Sequence, residues 1–75
     1  MSKHEKPTSY AELADVLDSL PMLVRERRRQ KGLSIRAAAK EIGCSFSTVS
    51  RLENGKDGRL GNALLVLRWL DGGKP

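Results

Sequence analysis

Apolar residues recur at helical spacing in five short segments of this chain, and serine, proline or glycine stands at the ends of the segments. Apolar side chains three and four residues apart share one face of a helix, and that face can be buried against neighbouring helices. The pattern therefore predicts an all-α fold. The first predicted helix ends near residue 18, and the others span about 21–31, 35–42, 46–54 and about 60–71.

The third and fourth predicted helices are joined by only three residues, Gly43, Cys44 and Ser45. Gly43 can take the positive φ that ends one helix, and Ser45 can cap the next, as Ser34 can cap the helix before. A small residue, Ala39, lies where the two helices come closest. Residues 34–55 are therefore predicted to form a helix-turn-helix.

Turn signals also place the first two helices. Ser9 and Glu12 form a capping-box pattern that opens the first helix. Pro21 cannot occupy a helix interior, so it separates the first helix from the second, with Ser19 as the expected cap of the second. The first helix is expected to cover the bundle and to turn its acidic face outward.

The last helix carries two sets of apolar residues. The set expected to close the core is Leu60, Ala63, Leu64, Leu67 and Leu70. Leu65 and Trp69 lie four apart on the opposite side, and an adjacent Leu and Trp on an outer face favour a partner surface. Either these two residues form a two-fold dimer contact, or the first helix or the tail covers them.

The length of 75 residues allows one small domain. We expect a mobile arm over 1–8, one helical domain over 9–71 and a tail over 72–75. The single cysteine, Cys44, cannot form an intramolecular disulfide and suits a small turn position. No targeting segment is evident, and no apolar run approaches the roughly 20 residues of a membrane-spanning helix, so a cytoplasmic protein is expected.

Charge is distributed unevenly along the chain. Residues 1–20 hold two lysines against four acids, a net −2, while residues 21–75 hold twelve lysines and arginines against five acids, a net +7. A basic domain suits a polyanionic partner, a membrane surface or simple solubility equally well, so charge alone does not choose among them.

Residues 24–55 resemble the helix-turn-helix of the Cro and phage-repressor type, also called the XRE family. The resemblance rests on three motifs at the family's intervals: GLS at 32–34, the Ala39 and Gly43 pair, and ENG at 53–55. It implies a lambda-repressor-like fold, a compact bundle of about five helices. Such a domain binds double-stranded DNA with the helix after the turn in the major groove.

The resemblance also implies roles for individual residues. An arginine at this position of the family pairs with the glutamate of ENG, so Arg28 and Glu53 are expected to form a bidentate ion pair. Base contacts are expected from outward residues of the helix after the turn, Phe46, Ser47, Ser50 and Arg51, of which Arg51 suits a guanine. Expected phosphate contacts are Ser34, Arg36, Asn54, Lys56 and Arg59.

Two features leave alternatives open. Phe46 departs from the family, in which a polar residue is more usual at this position, and it either touches a thymine methyl or packs back on the protein. Lys3, His4 and Lys6 in the arm either reach around the duplex, as in some relatives, or belong to a solvated tail.

The leading function is a sequence-specific transcriptional regulator, a bacterial or phage repressor that binds an inverted-repeat operator, with a possible homodimer through the last helix. The alternative is an antitoxin or accessory subunit that binds DNA together with a protein partner docked on Leu65 and Trp69. An enzyme is not expected, because the only histidine lies in the arm and the carboxylates stand singly on helical surfaces. No cofactor or metal is expected.

Overall fold

The structure, a computed structural model, describes residues 9–72 of the chain. This part contains five helices and no strands. The helices are α1 (Tyr10–Asp18), α2 (Leu20–Gln30), α3 (Ile35–Ile42), α4 (Phe46–Glu53) and α5 (Leu60–Leu70). The predicted all-α class and the predicted helix-turn-helix are confirmed. The predicted arm, 1–8, and residues 73–75 of the predicted tail lie outside the described residues.

Three serine caps hold the starts of helices, as predicted. Ser9 Oγ accepts a hydrogen bond from the N–H of Glu12, whose carboxylate accepts in return from the N–H of Ser9. Ser34 and Ser45 each accept from the N–H three residues on, at 3.0 and 3.1 Å. These bonds satisfy N–H groups that have no partner inside a helix, and each contributes about 0.5–2 kcal/mol. They define where α1, α3 and α4 begin.

The turn between α3 and α4 depends on Gly43. Its φ of 95° is a left-handed conformation that strains any residue with a Cβ. The N–H groups of Gly43 and Cys44 both donate to the carbonyl of Ala39, at 2.8 and 3.0 Å. The chain therefore reverses within three residues, and the small, buried Ala39 allows the two helices to approach closely.

α1 runs almost directly into α2. Only Ser19 separates them, and its backbone is itself close to helical, with φ −90° and ψ −3°. α2 starts at Leu20, one residue earlier than predicted, and the Ser19 side chain makes no capping hydrogen bond. The expected Ser19 cap is therefore wrong, because a capping side chain needs an extended backbone and α1 holds this residue in a helical one.

The core lies where α2, α3, α4 and α5 meet. α4 packs on α2 and α3, and α5 packs on the same two helices. Nine apolar residues are buried in this core, namely Leu20, Val24, Ala38, Ala39, Ile42, Val49, Leu52, Val66 and Trp69. Ala38, Ala39 and Ile42 of α3 and Val49 and Leu52 of α4 therefore form the buried faces of the helix-turn-helix.

The orientation of α5 differs from the prediction. Val66 and Trp69 face the core. Of the residues expected to close it, Ala63, Leu67 and Leu70 are partly buried against the core, while Leu60 and Leu64 are 71% and 43% exposed. Leu65 is only partly buried but packs against the core. The predicted partner surface of Leu65 and Trp69 is therefore wrong. α5 is apolar on most sides, so a helical wheel has no continuous polar face by which to orient it.

A hydrogen bond helps to hold Trp69 in the core. Its indole Nε1 donates to Oε1 of Glu41 in α3 at 3.0 Å. The same oxygen accepts from Nζ of Lys31 at 2.7 Å, and this ammonium lies 5.9 Å from the centre of the indole ring. A buried indole N–H needs a partner of this kind, and α3 supplies it 28 residues away in sequence.

The expectation that α1 covers the bundle is also wrong. α1 contacts mainly α2, and none of its residues is buried. Its large apolar side chains are all exposed, and they are Tyr10, Leu13, Val16 and Leu17.

Two substitutions test the orientation of α5. Trp69→Ala should lower the free energy of unfolding by about 3–5 kcal/mol, because it removes a buried aromatic side chain. Leu60→Ala should change it by less than about 0.5 kcal/mol, because Leu60 is exposed. Urea unfolding followed by circular dichroism measures both values. A larger loss for Leu60→Ala would show that the other side of α5 faces the core.

Candidate nucleic-acid interface

One side of α4 is buried and the other faces solvent. Thr48, Val49, Leu52 and Glu53 are buried, which turns the other four positions of the helix outward. The outward residues are Phe46, Ser47, Ser50 and Arg51, of which Ser50 is partly buried and the others are exposed. The four predicted base-contact residues thus lie on one accessible face.

Two hydrogen bonds hold the first turn of α4. Besides the cap from Ser45 to the backbone, the hydroxyl oxygens of Ser45 and Thr48 are hydrogen-bonded at 2.9 Å. Thr48 is buried, so its hydroxyl finds its partner within the protein. The N-terminal turn of α4 is therefore held in place by hydrogen bonds on its buried side.

Glu53, the last residue of α4, is a buried carboxylate held by arginines of α2. Its side chain is 5% exposed. Arg28 Nε donates to Oε2 at 2.6 Å and Arg28 Nη2 donates to Oε1 at 2.9 Å, which is the expected bidentate geometry. Arg28 Nη1 also donates to the carbonyl of Leu33, and Arg25 Nη2 donates to the carbonyl of Glu53. The hydrogen bond to Glu53 raises the pKa of Arg28, which favours the charged guanidinium.

A second buried carboxylate, Asp57, organises the loop after α4. Its side chain is 2% exposed and accepts from the N–H of Arg59 at 2.9 Å and from Nδ2 of Asn62 at 3.0 Å. The bond from the Arg59 N–H has the largest effect in lowering the pKa of Asp57, and the charge of Arg51 adds to it. Arg51 Nη2 lies 3.8 Å from Asp57 Oδ2 and 3.5 Å from Thr48 Oγ1.

The guanidinium of Arg51 is therefore tethered on one side by the loop. Sequence reasoning missed Asp57, because an Asp-Gly pair between two helices signals only a turn. Nothing in the local sequence indicates that this carboxylate is buried beside an arginine of α4.

Arg36 of α3 stacks on Phe46, the first residue of α4. The guanidinium carbon lies 4.7 Å from the centre of the ring, within the range of a cation–π contact. Phe46 is still 41% exposed, so one part of the ring meets Arg36 and another part meets solvent. Ser34 and Lys40 line the same shallow depression as this pair. The depression combines an aromatic wall with two cations at the junction of α3 and α4.

The other predicted phosphate-contact residues lie at the two ends of the helix-turn-helix. Ser34 is exposed, although its hydroxyl is used to cap α3. Asn54 Nδ2 donates to a carbonyl within α4 at 2.9 Å. Lys56 is exposed, and its N–H donates to another α4 carbonyl at 2.8 Å, which places it beside the end of that helix. Arg59 is exposed at the start of α5.

Other kinds of site have little support in residues 9–72. No group of three or more His, Cys, Asp or Glu side chains in this range is arranged to hold a metal ion. No helix in the same range has the length and apolar character needed to cross a bilayer. Burial raises the pKa of the Cys44 thiol, and the charge of Asp57 adds to the effect, so the reactive thiolate is disfavoured.

Comparison with known families identifies the central part of the fold. A family model described as a helix-turn-helix domain matches residues 20–68. The matched range starts at the first residue of α2, ends inside α5 and leaves α1 outside. No curated protein and no solved structure shows a significant match to the chain.

The pair of Arg28 and Glu53 gives the sharpest stability test. Arg28→Ala should lower the free energy of unfolding by about 3–5 kcal/mol, because it leaves a buried carboxylate without its partner. The double variant Arg28→Ala, Glu53→Ala should lose much less than the sum of the two single losses. Arg29→Ala, on the exposed side of α2, is the matched control and should have little effect. Additive losses in urea unfolding would contradict the coupling.

Proposed function

Because this chain belongs to a helix-turn-helix domain family that is associated with XRE-like DNA-binding proteins, we propose that it is a sequence-specific transcriptional regulator, a repressor that occludes promoter DNA. The observation that carries the proposal is the outward face of α4, which is accessible, polar except for Phe46, and fixed to the core by the buried side of the helix. A helix held in this way can enter the major groove without reorganising the domain. The family is typically non-enzymatic, which agrees with a binding role.

Arg51 is the proposed main reader of base sequence. Its planar guanidinium can donate to O6 and N7 of one guanine. The contacts with Asp57 and Thr48 support this role, because a side chain already held in place loses less conformational freedom on binding. Ser47 and Ser50 can bond to several bases, so each adds little discrimination.

Phe46 and Arg36 are proposed to act together at the N-terminal end of α4. The exposed part of the Phe46 ring is available to a thymine methyl, while Arg36, held against the ring, is available to a phosphate. The remaining proposed phosphate contacts are Ser34, Asn54, Lys56 and Arg59. Lys56 is the best placed of these, since its backbone is bonded to α4 and its ammonium is exposed.

The proposed target is an inverted-repeat operator bound by two copies of the chain, in the cytoplasm of a bacterium or of a phage-infected host. An antitoxin or accessory subunit is the second candidate, but its expected docking residues, Leu65 and Trp69, belong to the packed side of α5. No observation on α5 favours that candidate at those residues.

Selection of bound fragments from a random DNA pool, followed by alanine variants on the selected site, tests the proposal. Arg51→Ala should lose about 1–3 kcal/mol of binding free energy on that site and relax the base choice at one position. Lys56→Ala should weaken binding to all duplexes alike. It should also reduce the slope of log binding constant against log salt concentration by the amount expected for about one phosphate contact. Arg29→Ala is the charge control, because Arg29 is an exposed arginine of α2 and is not among the proposed contacts. A pool with no enriched sequence would refute specific binding.

Replacement of thymine by uracil isolates the role of Phe46, because it removes only the 5-methyl group. At the contacted position this change should cost the wild-type protein about 0.8 kcal/mol, the typical value for one buried apolar carbon. The same change should cost Phe46→Ala nothing. Thymine positions outside the contact serve as controls. Equal tolerance of uracil by both proteins at every position would show that Phe46 packs only on Arg36.

A further inference from the structure

Asp57 is the only acid in the loop between α4 and α5, and its side chain is buried, with 2% of its surface exposed. A buried carboxylate needs polar partners. Its Oδ1 accepts from the N–H of Arg59, and its Oδ2 accepts from Nδ2 of Asn62. Both donors belong to the start of α5, and the N-terminal end of a helix favours an anion. The position of this carboxylate is therefore set by α5.

The nearest cation to this carboxylate comes from a different helix. Nη2 of Arg51 in α4 lies 3.8 Å from Oδ2 of Asp57, and within residues 9–72 no other cationic group comes as close. Charges attract each other more strongly beside a buried group than in water, because water screens them less. The hydrogen bond from the Arg59 N–H is the main cause that lowers the pKa of Asp57, which favours the charged carboxylate. One nitrogen of Arg51 therefore lies beside a fixed anion.

The contact with Asp57 occupies only one end of the Arg51 side chain. Nη2 also lies 3.5 Å from Oγ1 of Thr48, so both protein neighbours are on the same nitrogen. Within residues 9–72, Nε and Nη1 donate to no protein group, and the side chain is 46% exposed. A guanidinium is planar and rigid, so a contact at Nη2 restricts the directions of the other donors. These remaining donors are the ones available to a base.

The charge of Asp57 has opposite effects on general affinity for DNA and on the reading of one base. A carboxylate repels phosphates, so it weakens the attraction of the chain for every duplex. A bidentate contact with guanine O6 and N7, by contrast, requires the guanidinium to lie in a fixed orientation. An anion that restricts Arg51 therefore favours discrimination between bases over general affinity.

We propose that Asp57 is a positioning residue for sequence specificity, which orients Arg51 toward a guanine without touching DNA itself. The proposal rests on the function proposed above, in which Arg51 reads a base. Removal of the Asp57 charge should lower the preference for guanine and leave the affinity for random DNA unchanged or higher. A role only as an anchor for the start of α5 would instead weaken binding to all duplexes alike.

Asp57→Asn removes the charge with little change in shape. The new amide oxygen can accept from the Arg59 N–H, and Asn62 can turn its own amide so that its oxygen accepts from the new NH₂ group. The bonds to α5 are then kept, while Arg51 loses its anion. Circular dichroism should accordingly show unchanged helix content.

Binding to three duplexes gives the test. They are the selected site, the same site with adenine in place of the guanine whose preference Arg51→Ala relaxes, and a random duplex. The wild type should prefer guanine by roughly 5- to 140-fold, the range of one bidentate contact. Asp57→Asn should lower this preference at least about twofold, the lower value for restricting one side chain. Its affinity for the random duplex should equal or exceed that of the wild type.

Two control variants separate positioning from stability. Asn62→Ala removes one hydrogen bond to Asp57 but keeps the carboxylate beside Arg51, so its guanine preference should match the wild type. Asp57→Asn added to Arg51→Ala should not change the base preference of Arg51→Ala, because Asp57 acts only through that side chain.

Nuclear magnetic resonance relaxation of the arginine Nε–H groups measures the orientation of Arg51 without DNA. The order parameter of Arg51 should exceed that of Arg29, an exposed arginine of α2, and should fall toward it in Asp57→Asn. Equal order of Arg51 in the wild type and in Asp57→Asn would overturn the positioning role.

The binding data distinguish failure of this proposal from failure of the proposed function. A guanine preference that Arg51→Ala loses and Asp57→Asn retains would overturn the role of Asp57 alone. Equal losses of Asp57→Asn on all three duplexes would overturn it too, because they indicate an anchor for α5 only. A wild type without preference for any sequence would end the proposed function, and the role of Asp57 with it.

Discussion

The buried carboxylate of Glu53 is the constraint on which the rest of the structure depends. A carboxylate with 5% exposure is tolerated only with charged and hydrogen-bonded partners, and Arg28 supplies both through two short contacts. Arg25 adds a contact to the backbone at the same place. These contacts join the end of α4 to α2, while Ser45 and Thr48 hold its start. α4 is therefore fixed at both ends, with Val49 and Leu52 between them in the core.

Local features of the fold were predictable from the sequence because their causes are local. A serine that caps, or a glycine with positive φ, acts on residues three or four positions away, and Ser9, Ser34, Ser45 and Gly43 behave as expected. The orientation of α5 has a nonlocal cause. Trp69 faces inward partly because its indole N–H donates to Glu41 of α3. A helical wheel of α5 alone gives no information about that partner.

The candidate interface likewise has features that the sequence predicts and features that it does not. The outward positions of α4 follow from its period and from the two inward residues, so Phe46, Ser47 and Arg51 could be placed on its surface in advance. Their immediate partners could not. Asp57 beside Arg51, and Arg36 against Phe46, are contacts that depend on how the following loop and α3 pack against α4. A likeness to a family supplied the pair of Arg28 and Glu53, which helical periodicity alone does not indicate.

The position of Trp69 has a practical consequence for solution work. It is the only tryptophan of the chain, it is 4% exposed, and it lies between the core and the charged pair of Glu41 and Lys31. Indole emission responds to the polarity around the ring. Trp69 is therefore an intrinsic fluorophore that reports on the contact between α5 and α3. A ligand on the outer side of α4 touches none of these groups. Emission from Trp69 can therefore follow unfolding without direct interference from a ligand bound to α4.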